Sequence, residues 1–165
     1  EELARTKSVR FSYESLSLAG TIPTGIAVFD LDATGTPITM AETSAGLLGE
    51  LGRAGFRVVA LPVGAMEVAG RSDSQVISAL GSGYQGQVER AVFGTARISE
   101  TVQEGQTIII QVSGTVKVVE LATGKVLLTV NKAKRAQGTS PAAALATAFK
   151  KLGEDLGQAI VNQLR

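Results

Sequence analysis

Apolar and polar positions change rhythm partway along the chain, and the change predicts two kinds of structure. In residues 7–18, KSVRFSYESLSL, Val9, Phe11 and Tyr13 alternate with polar neighbours as a strand does. After the break at TIPTG, residues 26–31 (IAVFDL) form a nearly continuous apolar run, the signature of a strand buried on both faces. The loop DATGTP leads into ITMAETSAGLLGELGRAG, where Ala41, Ala45, Leu48 and Leu51 recur at helical spacing and Gly55 stands at the C-cap position. FRVVALP, residues 56–62, repeats the buried-strand signature and completes a β-α-β unit. Inside that helix Gly46, Gly49 and Gly52 recur every third residue. Each costs about 1 kcal/mol relative to alanine, so the helix either packs close to the sheet or is weak. Ser72 is placed to cap a short helix through Leu80.

From residue 88 the period becomes two. Val92, Gly94, Ala96 and Ile98 share one face; Phe93, Thr95, Arg97 and Ser99 share the other. Beyond QEGQ, Ile108, Ile110, Val112, Gly114, Val116 and Val118 point one way, with Gln111, Ser113, Thr115 and Lys117 opposite. Past ATGK, Val126, Leu128 and Val130 resume the inward face. Short connections make these runs an antiparallel meander with one face wet and one covered. The cover follows: Ser140 caps, Pro141 takes the first helical position, and Leu145, Phe149, Leu152, Leu156, Ile160 and Leu164 form an apolar stripe. Gly153 and Gly157 let part of that helix approach a neighbouring backbone. The expected fold class is α/β in the broad α+β sense. It has a mixed sheet, an N-terminal β-α-β unit, an antiparallel C-terminal meander and a long C-terminal helix packed on it. One domain spans residues 1–165, with 1–20 either an extra N-terminal strand or a link to an upstream domain.

Composition narrows the chemistry. The chain has 165 residues, no Cys and no His, which excludes thiolate nucleophiles, zinc-cysteine sites and every histidine-based triad. Sixteen basic and 15 acidic side chains leave a net charge of +1, too little to gather nucleic acid over the whole surface. No apolar run approaches the ~20 residues a membrane helix needs, and no signal-peptide pattern opens the chain. A sequence beginning at Glu1 reads as a mature form or as part of something longer, with any membrane anchor outside it.

Three stretches carry chemical motifs. ATGKV, residues 122–126, lacks the first glycine and the final hydroxyl of a phosphate-binding loop and joins two strands, so it reads as a hairpin turn with Lys125 in solvent. Gly81, Gly83 and Gly86 of GSGYQG spell a dinucleotide fingerprint, but with a helix before and a strand after; the order is reversed and a flexible connection is expected. VFDLDATGT places Asp30 and Asp32 at the end of a buried strand and resembles the nucleophile motif of haloacid dehalogenase-like phosphatases. That resemblance implies a magnesium-dependent reaction in which Asp30 attacks phosphorus and Asp32 serves as acid and base. The competing reading is two solvated carboxylates opening a loop.

A broader resemblance covers residues 24–165. GIAVFDLDATG, AETSAGLLGELGRAGFRVVAL, AVFGTARI, VSGTVKVVELATGKVLLTV and the closing amphipathic helix resemble the family of the curli-secretion lipoprotein CsgG and the N-terminal domain of TolB. Related folds occur in lipoprotein activators of penicillin-binding proteins and in a flagellar assembly protein. The resemblance implies a non-catalytic periplasmic domain of a bacterial envelope lipoprotein, with a location at the outer membrane included. Such a domain works by protein contact in outer-membrane or cell-wall assembly. It implies an envelope protein or peptidoglycan-associated partner, no nucleic acid, and membrane attachment only through an anchor outside this sequence. No catalytic residue, cofactor or metal ligand carries over. The α/β arrangement also resembles anticodon-binding domains, a reading that near-neutral charge and few aromatics disfavour. The local interaction candidate is Lys132, Lys134 and Arg135 near the end of the last strand, either a basic patch for an acidic partner or a solvated strand end that discourages edge pairing.

Overall fold

The computed structural model describes residues 21–164, so the strand expected within 7–18 lies outside the described residues. Five strands form one mixed sheet in the order β2-β1-β3-β4-β5. β1 (Thr24–Leu31) runs parallel to β2 (Val58–Ala60) and to β3 (Arg90–Glu104). β4 (Thr107–Glu120) and β5 (Lys125–Gly138) continue from β3 as an antiparallel meander. Helix α1 (Glu42–Arg53) crosses from β1 to β2, α2 (Ala65–Ala69) and α3 (Asp73–Tyr84) lead from β2 to β3, and α4 (Pro141–Leu164) closes the chain. The expected class and its three parts are all present.

The sheet has two unlike faces. On one, α1 and α4 roof a core that joins Ile26, Val92, Val112 and Val116 to Leu47, Leu51, Phe149, Leu152 and Leu156. Strand alternation sends even-numbered residues of β4 into this core and odd-numbered ones away from it. On the other face α2 and α3 cover only β1 and the nearer parts of β3 and β4, over Ala27, Phe93, Val119 and Leu121. Helix ends follow their sequence signals. Ser72 accepts the Gln75 N–H while the Gln75 side chain accepts the Ser72 N–H, a reciprocal cap. Ser140 accepts the Ala143 N–H at the start of α4.

Several expectations need correction. The inward face of α1 is Thr43, Gly46, Leu47 and Leu51, whereas Ala41 and Ala45 are exposed, because α1 packs against α4 as well as the sheet and its buried face turns toward both. The glycine triplet does not serve a helix-sheet contact. A Cβ at Gly46 would lie 2.4 Å from the Lys150 carbonyl oxygen of α4, whereas Gly52 has nothing within 4 Å. FRVVALP is not a strand buried on both faces: β2 is a three-residue edge strand, and Val59 is 51% exposed. Val126 does not point inward. A register shift between Val118 and Val119 pairs Val118 with Leu128 and Val119 with Val126, which bulges Leu127 and turns Val126 away. Gly81 and Gly83 belong to α3 itself, and only Gly86, at φ +98°, lies in the connection. The TGK triplet is the expected hairpin turn, with Gly124 at φ +73° and its N–H on the Glu120 carbonyl.

Candidate interaction surface

Beyond α2 and α3 the second sheet face is open, and the residues on it follow from the two-residue period. Thr95, Thr115 and Asn131 stand side by side across β3, β4 and β5; Arg97, Ser113 and Ala133 form the next row. The Thr115 hydroxyl donates to Asn131 Oδ1, so adjacent strands are cross-linked by side chains as well as backbone. Arg97 donates through Nη2 and Nε to the Ala33 carbonyl at 2.6 and 3.2 Å, tying the loop after β1 down beside the row. At the other end a cleft of about 240 Å³ opens between α3 and the sheet, lined by Arg71, Asp73, Phe93, Thr95, Thr115 and Lys117. Lys117 of β4 pairs with Asp73 at the first turn of α3 and clasps helix to sheet. The surface is polar and mixed in charge.

The basic candidates do not form a single patch. Lys134 lies on the roofed side, with Nζ 2.9 Å from Asp155 Oδ2 on α4. Arg135 lies on the open side, donating through Nη2 to Glu100 Oε2 and Gln111 Oε1, both at 3.2 Å. Lys132 is exposed, and all three lie in the last half of β5, which ends at Gly138. One-residue steps along a strand reverse the face, which separates Lys134 from Arg135.

The two aspartates have separate structural tasks. Asp30 is 1% exposed, and its Oδ2 accepts the N–H groups of Glu42 at 3.0 Å and Thr43 at 3.4 Å, capping α1 from the end of β1. It is neither a solvated carboxylate nor one open to a phosphate ester. Its Oδ1 is buried with no hydrogen-bond partner, as is the Thr43 hydroxyl oxygen. Burial pushes its carboxyl above the usual value, and the N–H groups of Thr43 and Glu42 only partly offset this. Asp32 holds the loop: Oδ1 accepts the Thr34 hydroxyl at 2.6 Å and the Thr34 and Thr36 N–H groups at 2.9 Å each. The Thr34 hydroxyl first, then the Thr36 N–H, hold the Asp32 carboxyl below its usual value. Among the described residues no three acidic side chains gather as metal ligands.

The raised carboxyl sets a pH dependence. In the folded state Asp30 takes up a proton at higher pH than in the unfolded chain, so its contribution to stability is greatest below the unfolded value of 3.8. That contribution is lost as pH rises through the folded value. Asp30→Asn removes the titrating group while keeping an acceptor for α1. Urea midpoints across pH 4 to 7 should show the wild type losing stability relative to Asp30→Asn as pH rises. A constant difference would show that burial does not penalise this charge.

Residues 23–161 match the model of the family described as TP0693-like lipoprotein, C-terminal domain. The chain belongs to that family. It is thereby placed among lipoproteins, an envelope class, and no described helix is long and apolar enough to cross a membrane. No curated protein matches the chain. Among solved structures it is similar to the PelC dodecamer from Paraburkholderia phytofirmans, at 13% identity and TM-score 0.54, covering 84% of this chain and 89% of that one. It is also similar to lipoprotein GNA1162 from Neisseria meningitidis, at 15% identity and TM-score 0.46, covering 87% and 97%. At these identities the likeness to PelC shows a shared fold alone.

Within this lipoprotein domain, the outward side of Ser113, Thr115 and Lys117 was already visible in the two-residue period of β4; that Asn131 stands beside Thr115 was not. Arg71 and the Asp73–Lys117 clasp were not. They come from segments more than 40 residues apart in the chain, which only the packing of α3 on the sheet brings together.

Proposed function

We propose that the domain is a non-catalytic periplasmic protein-interaction module, acting in outer-membrane or cell-wall assembly. Its partner is an envelope protein or a peptidoglycan-associated component. The observation that carries this reading is the half-roofed sheet. One face of β3, β4 and β5 is sealed by α1 and α4, while the other presents the Thr95, Thr115 and Asn131 row to solvent on a backbone held in the sheet by strand pairing. A surface whose donors and acceptors are held before binding loses little further entropy when a partner docks. Membership in a lipoprotein family supports an envelope setting, with the anchor outside this sequence. The resemblance to CsgG and TolB enters the proposal as a likeness of segment order.

Thr115, at the centre of the row and exposed, is the test position. Immobilised wild-type domain should retain a specific component of an envelope extract, and Thr115→Arg should retain at least tenfold less, on the order expected when a central interface position is spoiled. Circular dichroism should be unchanged and the urea midpoint should fall only slightly, since the exposed arginine costs little beyond loss of the Thr115–Asn131 bond, about 0.2–1 kcal/mol. Equal retention by both proteins overturns the assignment to this face. Magnesium-dependent hydrolysis of phosphate esters that disappears in Asp30→Asn would instead favour the phosphatase reading.

A further inference from the structure

Helices α2 and α3 leave two clefts that meet at Arg71. The first is the polar cleft of about 240 Å³ between α3 and the sheet, with Thr95, Thr115 and the Asp73–Lys117 pair on its walls. The second, of about 200 Å³, lies between α2 and α3, and the two share Val68 and Arg71 as lining residues. Helical spacing makes the second cleft apolar. Val76 and Leu80, four apart on α3, are buried in it together with Val68 of α2, whereas the neighbouring row of α3 carries the small Ala79 and Gly83. A Cβ at Gly83 would meet nothing within 4 Å, so the recess has room on that wall. Tyr84 also lines it, held by the bond from its hydroxyl to the Pro62 carbonyl at 3.5 Å.

The charges around the two clefts are unequally engaged. Asp73 is paired with Lys117, and Glu67 Oε2 accepts the Gly64 N–H at 2.9 Å at the start of α2. Arg71 is exposed, and among the described residues no acidic side chain pairs with it. A group entering here therefore meets a guanidinium free of protein partners beside an apolar recess.

We propose that this pair of clefts binds the C-terminus of a partner polypeptide. The terminal carboxylate sits on Arg71, the last side chain fills the apolar recess between α2 and α3, and the preceding residues lie in the polar cleft toward Thr95 and Thr115. The inference rests on the open face as the side that receives the partner, and it names the part of the partner received. A carboxylate matches the planar guanidinium fork with two parallel hydrogen bonds. Within a peptide only the last residue carries a carboxylate and an apolar side chain on the same carbon, and the two clefts call for both at adjoining positions. The N–H and C=O groups of the residues before it find hydroxyl partners on the sheet.

The probe is N-acetyl-Ala-Ala-Leu, followed by amide proton–nitrogen correlation spectra of the full chain. The free acid should shift the amides of Arg71, Asp73, Leu80 and Tyr84 and saturate with a dissociation constant of about 1 mM or tighter. Its C-terminal amide should bind at least about tenfold more weakly, because the charge-assisted pair is lost. Arg71→Gln should weaken the acid by a similar factor and leave the affinity for the amide unchanged. Gly83→Leu, which adds a side chain on the wall of the recess, should weaken both. Unshifted amides elsewhere in the two variants report a retained fold. Equal binding of acid and amide, acid affinity unmoved by either substitution, shifts confined to residues outside both clefts, or no shift at about 10 mM peptide each overturns the proposal. These titrations use no extract, so they fail separately from the open-face assignment, which stands as long as Thr115→Arg loses a retained envelope component.

Discussion

Replacing Gly153 with valine is expected to destabilise the domain by about 3 kcal/mol, the upper end of the usual cost of overpacking. A Cβ at this position would lie 2.1 Å from the Thr43 carbonyl oxygen, 2.9 Å from the Thr43 carbonyl carbon and 3.0 Å from Thr43 Cα. All three are backbone atoms of α1, so no rotamer change relieves the contact; α1 and α4 must separate. Gly46 makes the same demand from the other helix, against Lys150, Gly153 and Glu154 of α4. Valine is the better helix former of the two residues, so propensity works against the expected loss and cannot account for it. Equilibrium urea unfolding should show a midpoint lower by about 1–2 M. Gly52→Ala is the control: it sits in α1 with nothing within 4 Å of a new Cβ and should gain up to about 1 kcal/mol. Equal stability of Gly153→Val and wild type would mean that the two helices are farther apart than the backbone places them.

Phe149→Ala should cost about 3–5 kcal/mol. Phe149 is fully buried and is the largest of the completely enclosed side chains. It lies in the core between α4 and the meander, in one buried cluster with Ala144, Ala148 and Leu152. Removing the ring leaves a cavity that neighbours fixed in a sheet cannot close. Thermal unfolding should register a large drop, and Phe149→Leu, which keeps much of the volume, should lose considerably less. A loss below 1 kcal/mol for Phe149→Ala would place the ring outside the cooperative core.

These two residues show how differently parts of the molecule were written in the chain. The α4 stripe that contains Phe149 repeats at helical spacing with a cap at Ser140, so local sequence alone located the helix and its inward side. The role of Gly153 as a close-approach site was likewise legible; its partner was not. Gly46 and Gly153 are remote in the chain, and the contact exists because α1 lies beside α4 over the same sheet face. The same remoteness explains the misassigned face of α1. A helix touching one neighbour has its burial set by one stripe, but α1 touches two, and its inward side falls between them.

The candidate site divides along the same line. Periodicity placed Thr115, Ser113 and Lys117 on one side of β4, and the hairpin at Gly124 followed from a turn residue between two apolar runs. It could not separate Lys134 from Arg135, which adjacency in sequence presented as one basic cluster and strand geometry sends to opposite faces. Nor could it distinguish a carboxylate at the end of a strand that faces solvent from Asp30, which caps a helix inside the protein. Sequence by itself determined the main elements and their order and the two sides of β4 and α4, because those depend on residue spacing over a few turns or strand steps; it did not give the short helix Ala65–Ala69. Tertiary structure alone decided which sides meet, which edge stays free and which charges are paired, because contacts between distant segments depend on how the whole sheet and its helices pack.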